Sequence, residues 1–228
     1  AGYCPKFFFP INLPEFPTAL TLNDNLIVGN LYRSDIFFKV FRESFIDPEQ
    51  DNAKIIKDCT EVLPIAQKPV HRVALLNNRA LAYCFLKKYE ESRLDFEEAE
   101  KIDQRDPWLK AGYALLLSEV GEYEKALEKI DHAINIDKRD GILWFNRGQI
   151  FQKKNDFRNA MDNFKIAIRL LERGLVKADV FFNCGLLSSE VNDFQNGLYY
   201  FGSAQQMYFE VSNPVKASTS LFFKGFCL

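Results

Sequence analysis

"LWFNRGQIF", residues 143–151, sets a Trp, a Phe, an Asn, an Arg and a Gly in one short apolar run. Sixty-eight residues earlier the chain reads "LLNNRALAY", residues 75–83, with Asn78, Arg79 and Ala80 where the later copy has Asn146, Arg147 and Gly148. The small residue that closes this motif is a marker, and Ala80, Ala114 and Gly148 lie 34 residues apart. "KYEES" (88–92), "EYEKA" (122–126) and "DFRNA" (156–160) keep the same spacing, as do Ala99, Ala133 and Ala167. Three markers with one period define an internal repeat, and a repeat this short is a supersecondary unit that must stack on its neighbours to bury its apolar face.

Within a unit the periodicity is helical. In "GEYEKALEKIDHAINI" the apolar residues Tyr123, Ala126, Leu127, Ile130, Ala133 and Ile134 fall on one stripe of a helix. Small residues at the markers let the two helices of a unit approach closely, with Tyr83, Leu117, Phe151, Phe96, Ile130 and Phe164 filling the space between them. Trp144 is expected to join this core. Asp106-Pro107 reads as a cap and first helical residue, Asp140-Gly141 marks the equivalent boundary, and Lys87-Lys88 and Lys153-Lys154 sit where positive charge complements a helix C-terminus. A looser copy follows in "VFFNCGLL" and "NDFQNG", with Gly185, Gly197 and Ala204 at the small positions after a three-residue insertion. "SLFFKGFCL" then begins one more copy at Gly225.

The stretch from about residue 70 to 211 resembles the tetratricopeptide repeat, a 34-residue helix-turn-helix unit. The resemblance implies an all-α fold of such repeats stacked in a right-handed superhelix, an α-solenoid. The organisation expected is an extended Pro/Phe-rich arm over 1–30, a helical hairpin over 31–68, about four repeats over 69–211, and over 214–228 the first helix of a further repeat or a cap. The arm, "KFFFPINLPEF" with Pro5, Pro10, Pro14 and Pro17, is too rich in proline for helix and too apolar to stay solvated, so it is expected to lie along the protein or a partner.

Composition narrows the function. With 29 Lys plus Arg against 31 Asp plus Glu, the net charge of -2 gives no electrostatic footprint for nucleic acid or an anionic membrane. No apolar run reaches the length of a membrane span and no secretory signal is present. Five scattered cysteines without a CxxC pair fit reduced thiols and a cytoplasmic setting. The chain begins Ala1-Gly2 without a Met, which reads as a processed form or a piece of a longer polypeptide.

Chemistry finds no purchase. His71 and His132 are far apart, and HExxH, GxSxG, Walker and GxGxxG patterns are absent, so no catalytic residue, metal or other cofactor is expected. The paired carboxylates Glu90-Glu91 and Glu97-Glu98 fall on the polar sides of amphipathic helices.

Stacked repeats instead offer a concave surface lined by the first helix of each unit. The marker-motif Asn recurs as Asn78, Asn146 and Asn183, with Gly112 in the second repeat. The resemblance implies that an Asn here can grip the backbone of an extended peptide, donating and accepting at once. Asn77, Trp108, Phe145, Gln149 and Phe182 are expected to face the same groove, with Leu81, Gln152, Lys153 and Leu186 beside them. Family members that clamp a C-terminal carboxylate use Lys and Arg for it, and Trp108 and Gly112 stand where those charges belong, which argues against such a clamp.

The expected function is therefore a noncatalytic scaffold holding a peptide or helical segment of a protein partner in its groove. The alternatives are a structural segment of a longer array in a large cytoskeletal or ciliary multiprotein assembly, or the targeting domain of an enzyme.

Overall fold

A computed structural model describes residues 48–227, and the arm and the first half of the expected hairpin lie outside the described residues. Ten α-helices occupy the described part: α1 (Pro48–Val62), α2 (Pro69–Phe85), α3 (Tyr89–Ile102), α4 (Pro107–Glu119), α5 (Tyr123–Ile136), α6 (Gly141–Lys153), α7 (Phe157–Leu170), α8 (Leu175–Glu190), α9 (Phe194–Glu210) and α10 (Pro214–Phe226). A single 3-10 turn, Leu63–Ile65, follows α1 around Pro64. The chain divides into two compact units, one ending at Lys129 and the other starting at Ile130.

The helix starts follow from local chemistry. Asp106 caps α4 by accepting from the backbone N–H groups of Trp108 and Leu109, and Asp140, Asp156, Asp193 and Asn213 accept one each at α6, α7, α9 and α10. Pro69, Pro107 and Pro214 occupy first-turn positions where no N–H is needed.

The turns between paired helices share one geometry that the residue types do not advertise. Lys87, Gly121, Asn155 and Asn192 all adopt positive φ, at 60°, 82°, 62° and 58°. In each case the following residue donates its N–H five positions back, as in Lys88 to Tyr83, Glu122 to Leu117, Asp156 to Phe151 and Asp193 to Ser188. This left-handed C-cap turns the chain sharply and satisfies the last carbonyls of the helix. Ser212, at φ 54°, repeats the device after α9.

In the first unit α2 packs against α1 and α3, and α4 packs against both α2 and α3. Arg79 ties three helices together: its Nε and Nη2 donate to the two carboxylate oxygens of buried Asp95 at 2.7 and 2.6 Å, and its Nη1 donates to Thr60 Oγ1. In the second unit α7 packs on α6 and α8, and α9 on α8 and α10.

Helices of a pair meet at the marker residues. A Cβ added at Gly148 would lie 2.4 Å from Phe164 Cε1 and 3.2 Å from the Ala160 carbonyl, and at Gly185 it would lie 2.6 Å from Phe201 Cε1. In both hairpins the aromatic ring sixteen residues on occupies the space a side chain would need. The rings of Phe164 and Phe201 are fully buried.

Trp144 departs from its expected place in the core: it is only half-buried, and its indole Nε1–H donates to the Lys138 carbonyl on the approach to α6. A large ring with a polar tip is accommodated where that tip finds an acceptor near solvent.

Two stability series follow. Gly148→Ala should destabilise by about 1–3 kcal/mol through overpacking against Phe164, whereas Gly225→Ala, with nothing within 4 Å of its added Cβ, should stabilise by about 0.5–1 kcal/mol through helix propensity. Urea denaturation of both variants measures the contrast. At the turns, Gly121→Ala should lose about 1 kcal/mol and Lys87→Gly should gain, because only glycine enters the left-handed region without steric cost.

Candidate interaction surface

The expected groove residues fall on α2 and α4 in the first unit and on α6 and α8 in the second. In the first unit Asn78 is buried at 9% exposure, while Asn77 and Leu81 are half-buried. Asn77 lies against α4 at Gly112, where an added Cβ would stand 2.8 Å from Asn77 Oδ1 and 2.9 Å from Phe96 Cε1. The absence of a side chain at Gly112 therefore makes room for both. Asn77 Oδ1 is shielded from solvent and accepts no hydrogen bond among the described residues. Trp108 is half-buried in the first turn of α4.

In the second unit Phe145 and Phe182 are corrected from groove contacts to core. Phe145 is fully buried, its ring 5.6 Å from that of Phe164, and Phe182 is 5% exposed, edge-on to Phe201 at 5.5 Å and to Phe223 at 5.5 Å. Both rings pack on the marker aromatic of the next helix, so hydrophobic burial inside the repeat claims them. Asn146 and Gln149 are also fully buried on α6. Gln152 and Lys153, at its C-terminal end, and Leu186 on α8 are half-buried. Gln152 Oε1 is shielded and accepts no hydrogen bond among the described residues. Asn183, half-buried on α8, donates one amide hydrogen to the Asp179 carbonyl at 2.8 Å within its own helix.

Arg147, the arginine of the opening motif, is a linker between helices. Its Nε donates to Asp131 at 2.6 Å, its Nη1 donates to Asn163 Oδ1 at 3.1 Å, and its guanidinium lies over the Phe151 ring. In the fourth copy the equivalent position is Cys184, which is fully buried.

The sequence reading missed Asp179. This carboxylate is buried on α8, accepts from the Tyr208 hydroxyl and from Lys216 Nζ at 2.6 Å, and so joins α8, α9 and α10. Its second oxygen, Oδ2, is shielded and accepts no hydrogen bond among the described residues. A lone Asp inside the apolar run "LVKADVFF" is the one sequence signal that could have flagged it.

No group of three or more His, Cys, Asp or Glu side chains among the described residues is placed to hold a metal ion. Cys59, Cys84, Cys184 and Cys227 are all buried, reduced thiols. Burial pushes the Cys59 thiol up from 9.0 to about 12 and raises that of Cys184 as well, which removes both as nucleophiles at neutral pH. No described helix is long and apolar enough to cross a membrane.

The tetratricopeptide repeat family matches the chain at residues 73–106 and 142–170. The chain is similar in fold to a tetratricopeptide repeat protein from Parabacteroides merdae, with 19% identity, TM-score 0.67, and coverage of 87% of this chain and 70% of that one. It is also similar to a thermophilic TPR protein of Thermus thermophilus, with 13% identity, TM-score 0.69, and coverage of 86% and 99%. YrrB, described as a TPR protein with an unusual peptide-binding site, matches with 13% identity, TM-score 0.50, and coverage of 85% and 92%. No curated protein matches the chain. These likenesses agree with an all-α repeat solenoid.

The raised thiols carry a pH consequence. Their folded pKa exceeds the unfolded value, so above about pH 9 the unfolded chain releases protons that the fold retains, and stability falls as pH rises toward 12. Urea melts at pH 8 and pH 10.5 should show this loss, and a Cys59→Ala, Cys184→Ala double variant should flatten the slope.

Proposed function

We propose that the chain, two segments of which match the tetratricopeptide repeat family and whose fold is that of tetratricopeptide repeat proteins, is a protein-interaction scaffold whose first helices hold an extended peptide or a helical segment of a partner protein. One observation carries this reading: amide side chains recur along these helices inside otherwise apolar packing, and some of their acceptors go unused. Asn77 on α2, Gln152 on α6 and Asn183 on α8 are half-buried, while Asn78 on α2 and Asn146 and Gln149 on α6 lie buried beside them. Asn77 Oδ1 and Gln152 Oε1 are both shielded and accept no hydrogen bond among the described residues.

A shielded acceptor left without a donor costs about 1–3 kcal/mol. A fold that keeps such groups on corresponding helices keeps them at the expense of its own stability. Backbone N–H groups of an extended segment are the donors that would relieve the cost, and Asn77 and Gln152, being half-buried, need only a side-chain rotation to present their carbonyls. Amides read chain shape and carry no net charge, so the scaffold selects its partner by conformation first and by a few apolar pockets second.

YrrB is described as having a peptide-binding site, which is consistent with this use of the fold. No step of bond making or breaking is assigned to the described residues.

Stability and binding should move in opposite directions. Asn77→Leu and Gln152→Met should each raise folding stability by about 1 kcal/mol, by removing an unsatisfied polar atom, and should weaken capture of extended peptides at least tenfold. Titration of an immobilised peptide panel with wild type, these two variants and the Asn78→Ala, Asn146→Ala, Asn183→Ala triple variant checks both. Undiminished binding by correctly folded variants sinks the groove mechanism.

A further inference from the structure

A cavity of about 340 Å3 lies within the second unit, walled by α7, the end of α8 and the start of α9. It is lined by none of the amide residues of the first helices. Both α7 and α9 pack on α8, and where α8 ends the left-handed Asn192 turns the chain back into α9, so the two second helices flank the end of α8. Much of the lining is apolar: Met161 of α7, Leu187 and Val191 at the end of α8, and Tyr200 of α9, whose ring is held 6.3 Å from that of Phe181. Val191 is left 55% exposed there, an apolar surface that the fold itself does not cover.

The polar groups of the lining are uncommitted. Arg158, Asp162 and Lys165 follow one another at i, i+4 and i+7 on one face of α7, and all three line the cavity. Opposite charges a turn apart on a helix commonly pair, yet none of these side chains makes an ion pair or hydrogen bond among the described residues. Ser188 is 2% exposed and also lines the cavity, and its hydroxyl has no hydrogen-bond partner among the described residues. A buried hydroxyl without a partner is an exception in a folded protein. Asp193, the remaining carboxylate of the lining, is by contrast occupied: its two oxygens accept from the backbone N–H and the side-chain amide of Asn196. The cavity therefore sets two unpaired cations, one unpaired carboxylate and one buried hydroxyl around an apolar lining.

We infer that this cavity binds a small zwitterion with a large apolar side chain, the chemistry of a free aromatic α-amino acid. The ligand carboxylate meets Lys165 and Arg158, its ammonium meets Asp162, and its side chain lies against Met161, Leu187 and Tyr200. The ammonium and carboxylate of an α-amino acid hang from a single carbon, so they need opposite charges side by side. Asp162 and Lys165, three residues and about 4.5 Å apart along the helix axis, supply them. A simple organic acid would leave Asp162 facing a like charge, and a simple amine would face two cations. The Ser188 hydroxyl can serve either end of the zwitterion, because it both donates and accepts. A concave site of this volume, mostly apolar with a few placed polar groups, suits a small molecule better than a flat protein surface. The amides of the first helices take no part, so this inference and the groove reading stand or fall independently.

The test titrates the full chain with L-phenylalanine and L-tryptophan by calorimetry, beside phenylalaninamide, which lacks the carboxylate, and N-acetylphenylalanine, which lacks the ammonium. At least one of the two free amino acids should bind saturably with one site per chain, and each blocked form of phenylalanine should bind at least tenfold more weakly than phenylalanine. Asp162→Asn should weaken the free amino acid at least tenfold while leaving N-acetylphenylalanine unchanged, and the Arg158→Gln, Lys165→Gln double variant should do the same while leaving phenylalaninamide unchanged. All three positions are exposed, so both variants should keep the circular dichroism and melting temperature of the wild type. Three results overturn the inference: no saturable binding of either amino acid at millimolar concentration, N-acetylphenylalanine or phenylalaninamide binding as tightly as phenylalanine, or undiminished binding by both variants, which would place the site elsewhere.

Discussion

The close approach of two helices beneath an aromatic ring is the constraint on which the repeat depends. Gly148 and Gly185 lie directly under Phe164 and Phe201, with no room for a side chain. A ring placed sixteen residues after a glycine fixes the axial register and rotation of the second helix at once, because only one face of that helix presents small residues beside the ring. Ala160 and Ala167, fully buried on either side of Phe164, are the result. Hydrophobic burial supplies the drive, and the notch supplies the specificity.

A second constraint acts on the chain between helices. The left-handed residue at Lys87, Gly121, Asn155 and Asn192 reverses the path within a few residues, and the aspartates at 156 and 193 then cap the helix that begins immediately after it. Polar links complete the units differently in each copy. Arg79 makes a bidentate pair with Asp95, Arg147 divides its donors between Asp131 and Asn163, and the fourth copy replaces the arginine with the buried Cys184. The apolar geometry is thus strict, while the polar links vary from copy to copy, from the largely buried Arg79–Asp95 pair to the more exposed Arg147–Asp131 pair.

The amides of the first helices differ in their surroundings: Asn77 Oδ1 on α2 and Gln152 Oε1 on α6 are shielded and accept no hydrogen bond among the described residues, whereas Asn183 on α8 donates to the Asp179 carbonyl of its own helix.

The sequence by itself determined the repeat, its helical period, the caps at Asp106 and Asp140 and the packing role of Gly148, because spacing and residue size are local properties that one chain displays. It also marked Asn78, Asn146 and Asn183 as one column. It could not separate a groove position from a core position on the same helix: Phe145 and Phe182 point to the following helix's aromatic, and Trp144 turns out toward the Lys138 carbonyl. Nor could it show that Lys87 takes the left-handed conformation, which suits glycine and is imposed on lysine by the hairpin. The partnership of Asp179 with Tyr208 and Lys216 was equally hidden, since those residues lie 29 and 37 positions away and meet only when three helices pack. Which side of a helix faces a neighbour is a property of the packed pair, and only tertiary structure decides it.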